Sequence, residues 1–182
     1  MTRKRIWLTI VITVSFVPAL LNFFSVSTSA GNTSVNPDAI FLQQAANGAS
    51  WIILMGELAE KQAASGDIQK YAKQITADNR IHVREIHHLA GKKGVLLSTD
   101  ADQVQQNTFQ YFSRQYGADF DRNYISMMAD ENSRQVSIFK LTAQKGIDEE
   151  IRAFAAAKIR MLEGYVAWAE KILSDLPKPV LK

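Results

Sequence analysis

The chain of 182 residues contains no cysteine. Disulfides, cysteine-ligated zinc, iron–sulfur clusters, thiol catalysis and lipid attachment through an N-terminal cysteine are therefore excluded. The sequence also lacks the period-two alternation of strands, an internal repeat and a glycine-rich phosphate loop. No serine lies in the strand–turn–helix context of a catalytic nucleophile. These absences leave a helical protein without a nucleotide-binding or acyl-transfer motif.

The charge of the chain is balanced once its first residues are set aside. The formal net charge is +3, and Arg3, Lys4 and Arg5 account for all of it. Removing them from the 21 basic residues leaves 18, which equals the 18 acidic residues. Nucleic-acid-binding domains carry clustered positive charge, and no such run remains. We therefore expect no nucleic-acid partner.

Residues 1–30 have the composition of an export signal. Basic residues at 3–5 precede the apolar stretch IWLTIVITVSFVPALLNFF, and the small residues Thr28 and Ala30 follow it. This order predicts a signal peptide cleaved after Ala30. The alternative is an N-terminal anchor, because residues 6–24 approach the ~20 apolar residues of a spanning helix. Both interpretations predict export to the periplasm or another part of the envelope, with membrane association through residues 6–24 if the segment is uncleaved.

The rest of the chain has the apolar spacing of long helices. After a polar lead-in at 31–37, four segments repeat apolar residues at intervals of three and four. The inward positions predicted for the first are Ile40, Gln44, Gly48, Trp51, Met55, Leu58 and Gln62. Those predicted for the second are Ile68, Ala72, Ile75, Asn79, His82, Ile86 and Leu89. Four such helices predict a four-helix bundle over 38–176, followed by a C-terminal tail at 177–182.

Glycine and aspartate residues indicate where these helices begin and end. Gly66 and Gly146 are predicted to end the first and third helices. Asp67 and Asp148 are predicted to cap the second and fourth. Because both links are short, each joins two antiparallel neighbours.

The connection between helices two and three is longer, at some twenty residues. We expect it to contain a short helix, capped by Thr99 or Asp100 and ended by Gly117. A long crossover at this point makes helices two and three parallel, which is the ferritin-like arrangement. The predicted fold class is therefore all-α, a ferritin-like four-helix bundle with a long helix 2–helix 3 connection containing a short helix. A simple up-and-down bundle with a lid helix is the alternative.

All three histidines lie in one segment of the second helix, DNRIHVREIHHLA. Glu85 and His88 have the Glu-x-x-His spacing of di-iron bundles, but such a site needs two of these pairs. Asp78 and His82, with Glu85, form the alternative metal set. We interpret His82 as a partly buried imidazole with a hydrogen-bond partner, and His87 and His88 as surface residues. No metal or other cofactor is predicted.

Four segments resemble an exported bacterial family with a domain of unknown function, labelled predicted outer membrane proteins and grouped with ferritin-like bundles. Its most specific element is the motif Gly117-x-x-Phe120-Asp121-x-x-Tyr124. The resemblance spans about residues 38–174. The segments are FLQQAANGASWIILMGELAEKQA (41–63), IQKYAKQITADNRIHVREIHHLAGKKGV (68–95), YGADFDRNYISMMADENSRQVSIFK (116–140) and IRAFAAAKIRMLEGYVAWAEKI (151–172).

The resemblance also implies a set of inward ligands that this chain lacks. Members of the family carry a glutamate in helix one, an Asp-His pair in helix two, and a histidine in each of helices three and four. The matching positions are Ile52, Asp78-Asn79, Asn132 and Tyr165. We call Ile52, Asn79, Asn132 and Tyr165 the candidate layer. Because isoleucine, asparagine and tyrosine bind metal poorly, we expect a polar core layer without a metal.

These features together predict an exported, non-catalytic bundle of the cell envelope with a binding, structural or stress-related role. Its partner would be an unknown envelope component or a small ligand, and no catalytic residue is assigned. The alternative function is a ferritin-like metal-binding or redox protein with a rearranged site around Asp78, His82 and Glu85.

Overall fold

Five helices account for most of the chain in the computed structural model, which describes residues 36–98 and 103–177. Within these ranges there is no strand, and the described helices belong to one unit. The fold is an all-α helical bundle, as predicted. The helices are α1 (Pro37–Gln62), α2 (Gly66–Lys92), α3 (Gln103–Phe112), α4 (Gly117–Lys145) and α5 (Glu149–Asp175).

The four long helices form two antiparallel hairpins, α1–α2 and α4–α5, which pack against each other. The start of α1 meets the end of α4, where Asp38 accepts a hydrogen bond from the Ile147 amide at 3.0 Å. The end of α2 meets the start of α5, where the Lys92 ammonium lies 2.7 Å from the Glu150 carboxylate. These contacts make α1 antiparallel to α4, and therefore make α2 parallel to α4.

The connection between α2 and α4 consequently returns along the length of the bundle, about 40 Å at 1.5 Å per residue. The short helix α3 lies in this connection and follows the groove between α1 and α4. At one end Gln43 of α1 bonds the Ser98 carbonyl at 2.9 Å, and at the other Gln62 bonds the Ser113 carbonyl at 3.0 Å. The predicted crossover with a short helix is confirmed.

The ends of the helices match the prediction at one link and differ at the other. Gly146 follows the last residue of α4 and the Asp148 side chain caps α5, as predicted. The prediction for the first link is wrong. There α1 ends at Gln62 and Gly66 is the first residue of α2, so Asp67 lies within the first turn and is not the cap.

Two further expectations about the helices need correction. Gly117 does not end the short helix, because α3 stops at Phe112 and Gly117 begins α4 with a φ of 67°. On α1 the predicted inward residue Ile40 is 41% exposed and Gln44 is also exposed, whereas Phe41 and Leu42 are buried. α1 carries apolar residues all round, so spacing alone does not identify its inner face. On α2 all seven predicted inward residues are buried.

Several predictions fall outside the described residues. They are the leader at 1–30, most of the lead-in at 31–37, the caps Thr99 and Asp100, and most of the tail at 177–182. None of the five helices in the described ranges is both long and apolar enough to cross a bilayer.

Candidate functional site

The apolar core is divided into two clusters by a band of buried polar residues. One cluster is centred on Tyr71, Phe120 and Tyr124, and the other on Phe41 and Phe139. Between them along α2 and α4 lie five polar side chains that are at most 3% exposed. We call this set the polar belt, and it comprises Thr76, Asn79, His82, Asn132 and Gln135.

Two glycines of α1 make room for the polar belt. A Cβ atom at Gly48 would lie 1.7 Å from Nε2 of Gln135, and one at Gly56 would lie 2.1 Å from Oγ1 of Thr76. Any larger residue at these positions would displace a belt side chain. The glycines therefore let α1 approach the belt closely.

All four members of the candidate layer are buried, with Ile52 and Asn132 at 0%, Asn79 at 1% and Tyr165 at 6% exposed. The two asparagines bond mainly to their own helices. Asn79 donates to the Ile75 carbonyl at 2.8 Å, and Asn132 donates to the Met128 carbonyl at 2.7 Å. Each amide therefore satisfies a donor locally, and neither asparagine bonds the other.

Tyrosines provide the bonds across helices in this region. The Asn132 amide also donates to the Tyr71 hydroxyl at 3.2 Å. The Tyr71 ring packs edge-to-face on Tyr165, with ring centroids 6.3 Å apart, and the Tyr165 hydroxyl donates to the Asp78 carboxylate. Asp78 also accepts from Gln74 at 2.8 Å. Asn132 and Tyr165 are thus each linked to α2, through Tyr71 and Asp78 respectively.

Burial keeps these phenols protonated. It raises the pKa of Tyr71, and it raises the pKa of Tyr165 together with the hydrogen bond to Asp78. Both hydroxyls are therefore neutral at physiological pH. Sequence analysis did not single out Tyr71, although it directly precedes the predicted inward residue Ala72 and a wider inward stripe would have included it.

Some hydrogen-bonding capacity in the belt region is not met by protein atoms. The Asn132 amide oxygen, the Thr76 hydroxyl and the Tyr124 hydroxyl are buried without a partner among the described residues. Unpaired buried polar atoms are costly and rare in folded proteins.

The structure does not bring the alternative metal set together. Asp78 is bonded to Tyr165, and Oε2 of Glu85 lies 2.5 Å from the Lys158 ammonium. His82 lies beside Glu85, with Nδ1 3.7 Å from the same oxygen. Among the described residues, no three histidine, aspartate or glutamate side chains are placed to share one metal ion.

His82 differs from its expected environment. The ring is 3% exposed and stacks on Phe154 with centroids 5.5 Å apart, and its Nδ1 has no hydrogen-bond partner. The expected partly buried, hydrogen-bonded imidazole is therefore wrong. Burial, reinforced by the nearby Lys158 charge, lowers the pKa of His82 to about 4 despite the opposing effect of Glu85. His87 and His88 are exposed, as predicted.

The motif at the start of α4 has a structural role. Gly117 supplies the positive φ at the first residue of α4, and the rings of Phe120 and Tyr124 stack 5.7 Å apart. The Asp121 carboxylate accepts from the Ala64 amide at 3.0 Å and the Ser65 amide at 2.7 Å. The motif therefore positions α4 and holds the link between α1 and α2.

A protein-family model and solved structures of other proteins match this chain. The family model described as "Domain of unknown function (DUF4142)" matches residues 25–172. Two solved structures of CopM, one in the Cu(I)-bound and one in the Cu(II)-bound form, are similar with a TM-score of 0.64 each. Their identity to this chain is 16% and 15%, and each match covers 76% of this chain and 96% of that chain. At this identity the likeness is one of fold. A search of curated proteins gave no match.

Proposed function

The chain belongs to this DUF4142 family, and from that premise we propose that it is an exported, non-catalytic bundle of the cell envelope. In this proposal the bundle has a binding or structural role. Of the four core positions at which resembling proteins carry inward ligands, three hold hydrogen-bonded side chains and the fourth holds Ile52. The leader at 1–30, cleaved after Ala30, would deliver it to the periplasm.

The observation that carries the proposal is how the candidate layer is bonded. Asn79 and Asn132 point amide nitrogens at carbonyls of their own helices, and Tyr165 gives its proton to Asp78. A protonated amide nitrogen or a neutral phenol is a poor metal ligand, and Ile52 offers no donor atom. The remaining carboxylate of the region, Asp78, already has two hydrogen-bond donors.

A hydrogen-bonded polar layer has a structural use in a helical bundle. Buried polar side chains fix the register of packed helices, because a shifted register would leave them without partners. The Asn132–Tyr71 bond joins α4 to α2, and the Tyr165–Asp78 bond joins α5 to α2. The layer thus supports a specific packing of three helices.

The second candidate function is metal handling. The observation in its favour is the fold shared with CopM structures that hold copper. On this chain the ligands would be Asp78, His82 and Glu85, of which His82 keeps an unpaired Nδ1. Imidazole suits copper, but the two carboxylates would first have to leave Tyr165 and Lys158. We therefore rank this function second.

Metal analysis separates the two candidates. The full chain is expressed, purified as the cell processes it, exposed to copper, iron, manganese or zinc, desalted and analysed by mass spectrometry. We expect much less than one ion per chain. One tightly held ion, lost in Asp78→Ala and His82→Ala but kept in the control His87→Ala on the same helix, would replace the first function with the second.

A further inference from the structure

A groove with an apolar floor runs between α2 and α5. Its volume is about 550 Å³, within the range of small-molecule sites. The floor is formed by Leu89 of α2 and by Phe154 and Ala157 of α5. From Glu150 to Lys158 the groove follows eight residue steps of α5, about 12 Å at 1.5 Å per residue. Its shape suits a narrow, extended apolar group.

One cation at the rim of the groove is left without an ion pair among the described residues. Of the two lining carboxylates, Glu85 is paired with Lys158 at 2.5 Å. Glu150 lies 2.7 Å from Lys92 and 3.0 Å from Lys93. The remaining rim residues Arg84 and His88 have no ion pair among the described residues. An incoming anion would therefore find an unpaired guanidinium, whereas an incoming cation would find both carboxylates already occupied.

The floor of the groove is backed by His82. Its ring stacks on Phe154 at an interplanar angle of 9°, and its buried Nδ1, which lacks a hydrogen bond, faces Glu85 of the rim. The surface above it is apolar in the middle, with the unpaired guanidinium of Arg84 at the rim.

We propose that this groove binds a single-chain amphiphile with an anionic head group. The alkyl chain lies along Leu89, Phe154 and Ala157, and the head group is held by Arg84 and His88. This assigns a ligand class to the binding role of the proposed function. No member of the candidate layer lines the groove, whereas Glu85 of the alternative metal set does.

The test uses three ligands whose main carbon chain has the same number of atoms, namely decanoate, decan-1-ol and decyltrimethylammonium. Each is titrated by calorimetry, below its micelle concentration, into the protein processed from the full chain. Decanoate is expected to bind one to one and at least tenfold tighter than the other two. Absence of saturable decanoate binding, or equal binding of the cation, would overturn the proposal.

Variants of the groove locate the site. Arg84→Glu should weaken decanoate binding at least tenfold, and Ala157→Trp, which fills the exposed floor, should abolish it. Arg160→Glu is the matched control, since Arg160 is exposed on α5 and does not line the groove. Circular dichroism verifies that each variant is folded. If decanoate bound equally to Arg84→Glu and Arg160→Glu, the groove would not be its site.

Discussion

The two tight links of the bundle are held by the same device, with different amounts of local support. At the link between α1 and α2, Asp121 of α4 accepts from the Ala64 and Ser65 amides. At the link between α4 and α5, Asp38 of α1 accepts from two amides at the same distances, 3.0 and 2.7 Å. Each hairpin therefore closes its turn on a buried aspartate of the other hairpin.

The difference lies in what else holds each link. At the α4–α5 link the Asp148 side chain also caps α5, and Arg152 donates to the carbonyls of Gly146 and Ile147. At the α1–α2 link Ser65 occupies the cap position without a side-chain hydrogen bond, and the local support is one neutral donor, Gln69, which bonds the Ala63 carbonyl at 2.8 Å. The first link thus depends mainly on Asp121, whereas the second has support from its own sequence. The comparison predicts unequal effects for matched substitutions.

The largest effect is expected for Asp121→Ala. Removing the carboxylate leaves two amides without their acceptor, and a hydrogen bond to a charged group contributes about 1.5–3 kcal/mol. We expect the free energy of unfolding, measured by urea denaturation, to fall by about 3 kcal/mol. Asp121→Asn, which keeps one acceptor oxygen, should lose about half of this. A loss below about 1 kcal/mol for the alanine variant would mean that the α1–α2 link is stable without the Asp121 carboxylate.

Asp38→Ala should cost less, about 2 kcal/mol, because the Asp148 cap and Arg152 remain in place. Asp38 is as buried as Asp121, at 4% against 3% exposed, so burial alone does not separate the two variants. The same denaturation experiment measures both. A loss equal to or greater than that of Asp121→Ala would remove the distinction between the links.

Gly146→Ala probes the close approach at the second link. A Cβ atom there would lie 2.8 Å from the Thr142 carbonyl and 3.2 Å from the Asp38 carboxylate. Because a backbone oxygen has to move, we expect thermal and urea unfolding to report a loss of about 1.5 kcal/mol. Unchanged stability would show that a Cβ atom at position 146 fits without displacing the Thr142 carbonyl oxygen, contrary to the structure.

Gly66→Ala is the matched substitution at the first link and should have the smallest effect, of opposite sign. The added Cβ meets no atom within 4 Å, and the backbone φ of Gly66 is not positive. Alanine restricts the unfolded chain, so stability should rise by about 0.5 kcal/mol. Any loss of stability would indicate that a side chain at the first residue of α2 is not tolerated as the structure implies.

These links show how far the sequence could predict the fold. Asp148 caps the helix that it precedes, so local sequence identified it. Asp121 accepts from amides that are more than fifty positions away in the chain, so the residues near Gly66 do not reveal what holds that turn. The inner face of α2 was predictable because polar residues cover its other faces, whereas on α1 apolar residues surround the helix.

The candidate site was predictable to a similar extent. Helical spacing was enough to place Asn79 and Asn132 inside the core, and both are buried. The side chains that bond across helices, Tyr71 to Asn132 and Asp78 to Tyr165, depend on side-chain direction and on contacts 61 and 87 positions apart. Spacing along one helix contains neither kind of information, so the sequence predicted the burial of the two asparagines and not the bonds that cross between helices.

The central claim is that hydrogen bonds occupy core positions where resembling proteins carry ligands. It is tested most directly by restoring those ligands in one variant, Ile52→Glu, Asn79→His, Asn132→His and Tyr165→His, and measuring bound metal beside the unmodified protein. The account predicts about one tightly held ion per restored chain, with a melting temperature that rises on metal addition, and much less than one ion in the unmodified protein. Stoichiometric metal in the unmodified protein, or none in a restored variant whose circular dichroism remains helical, would contradict it.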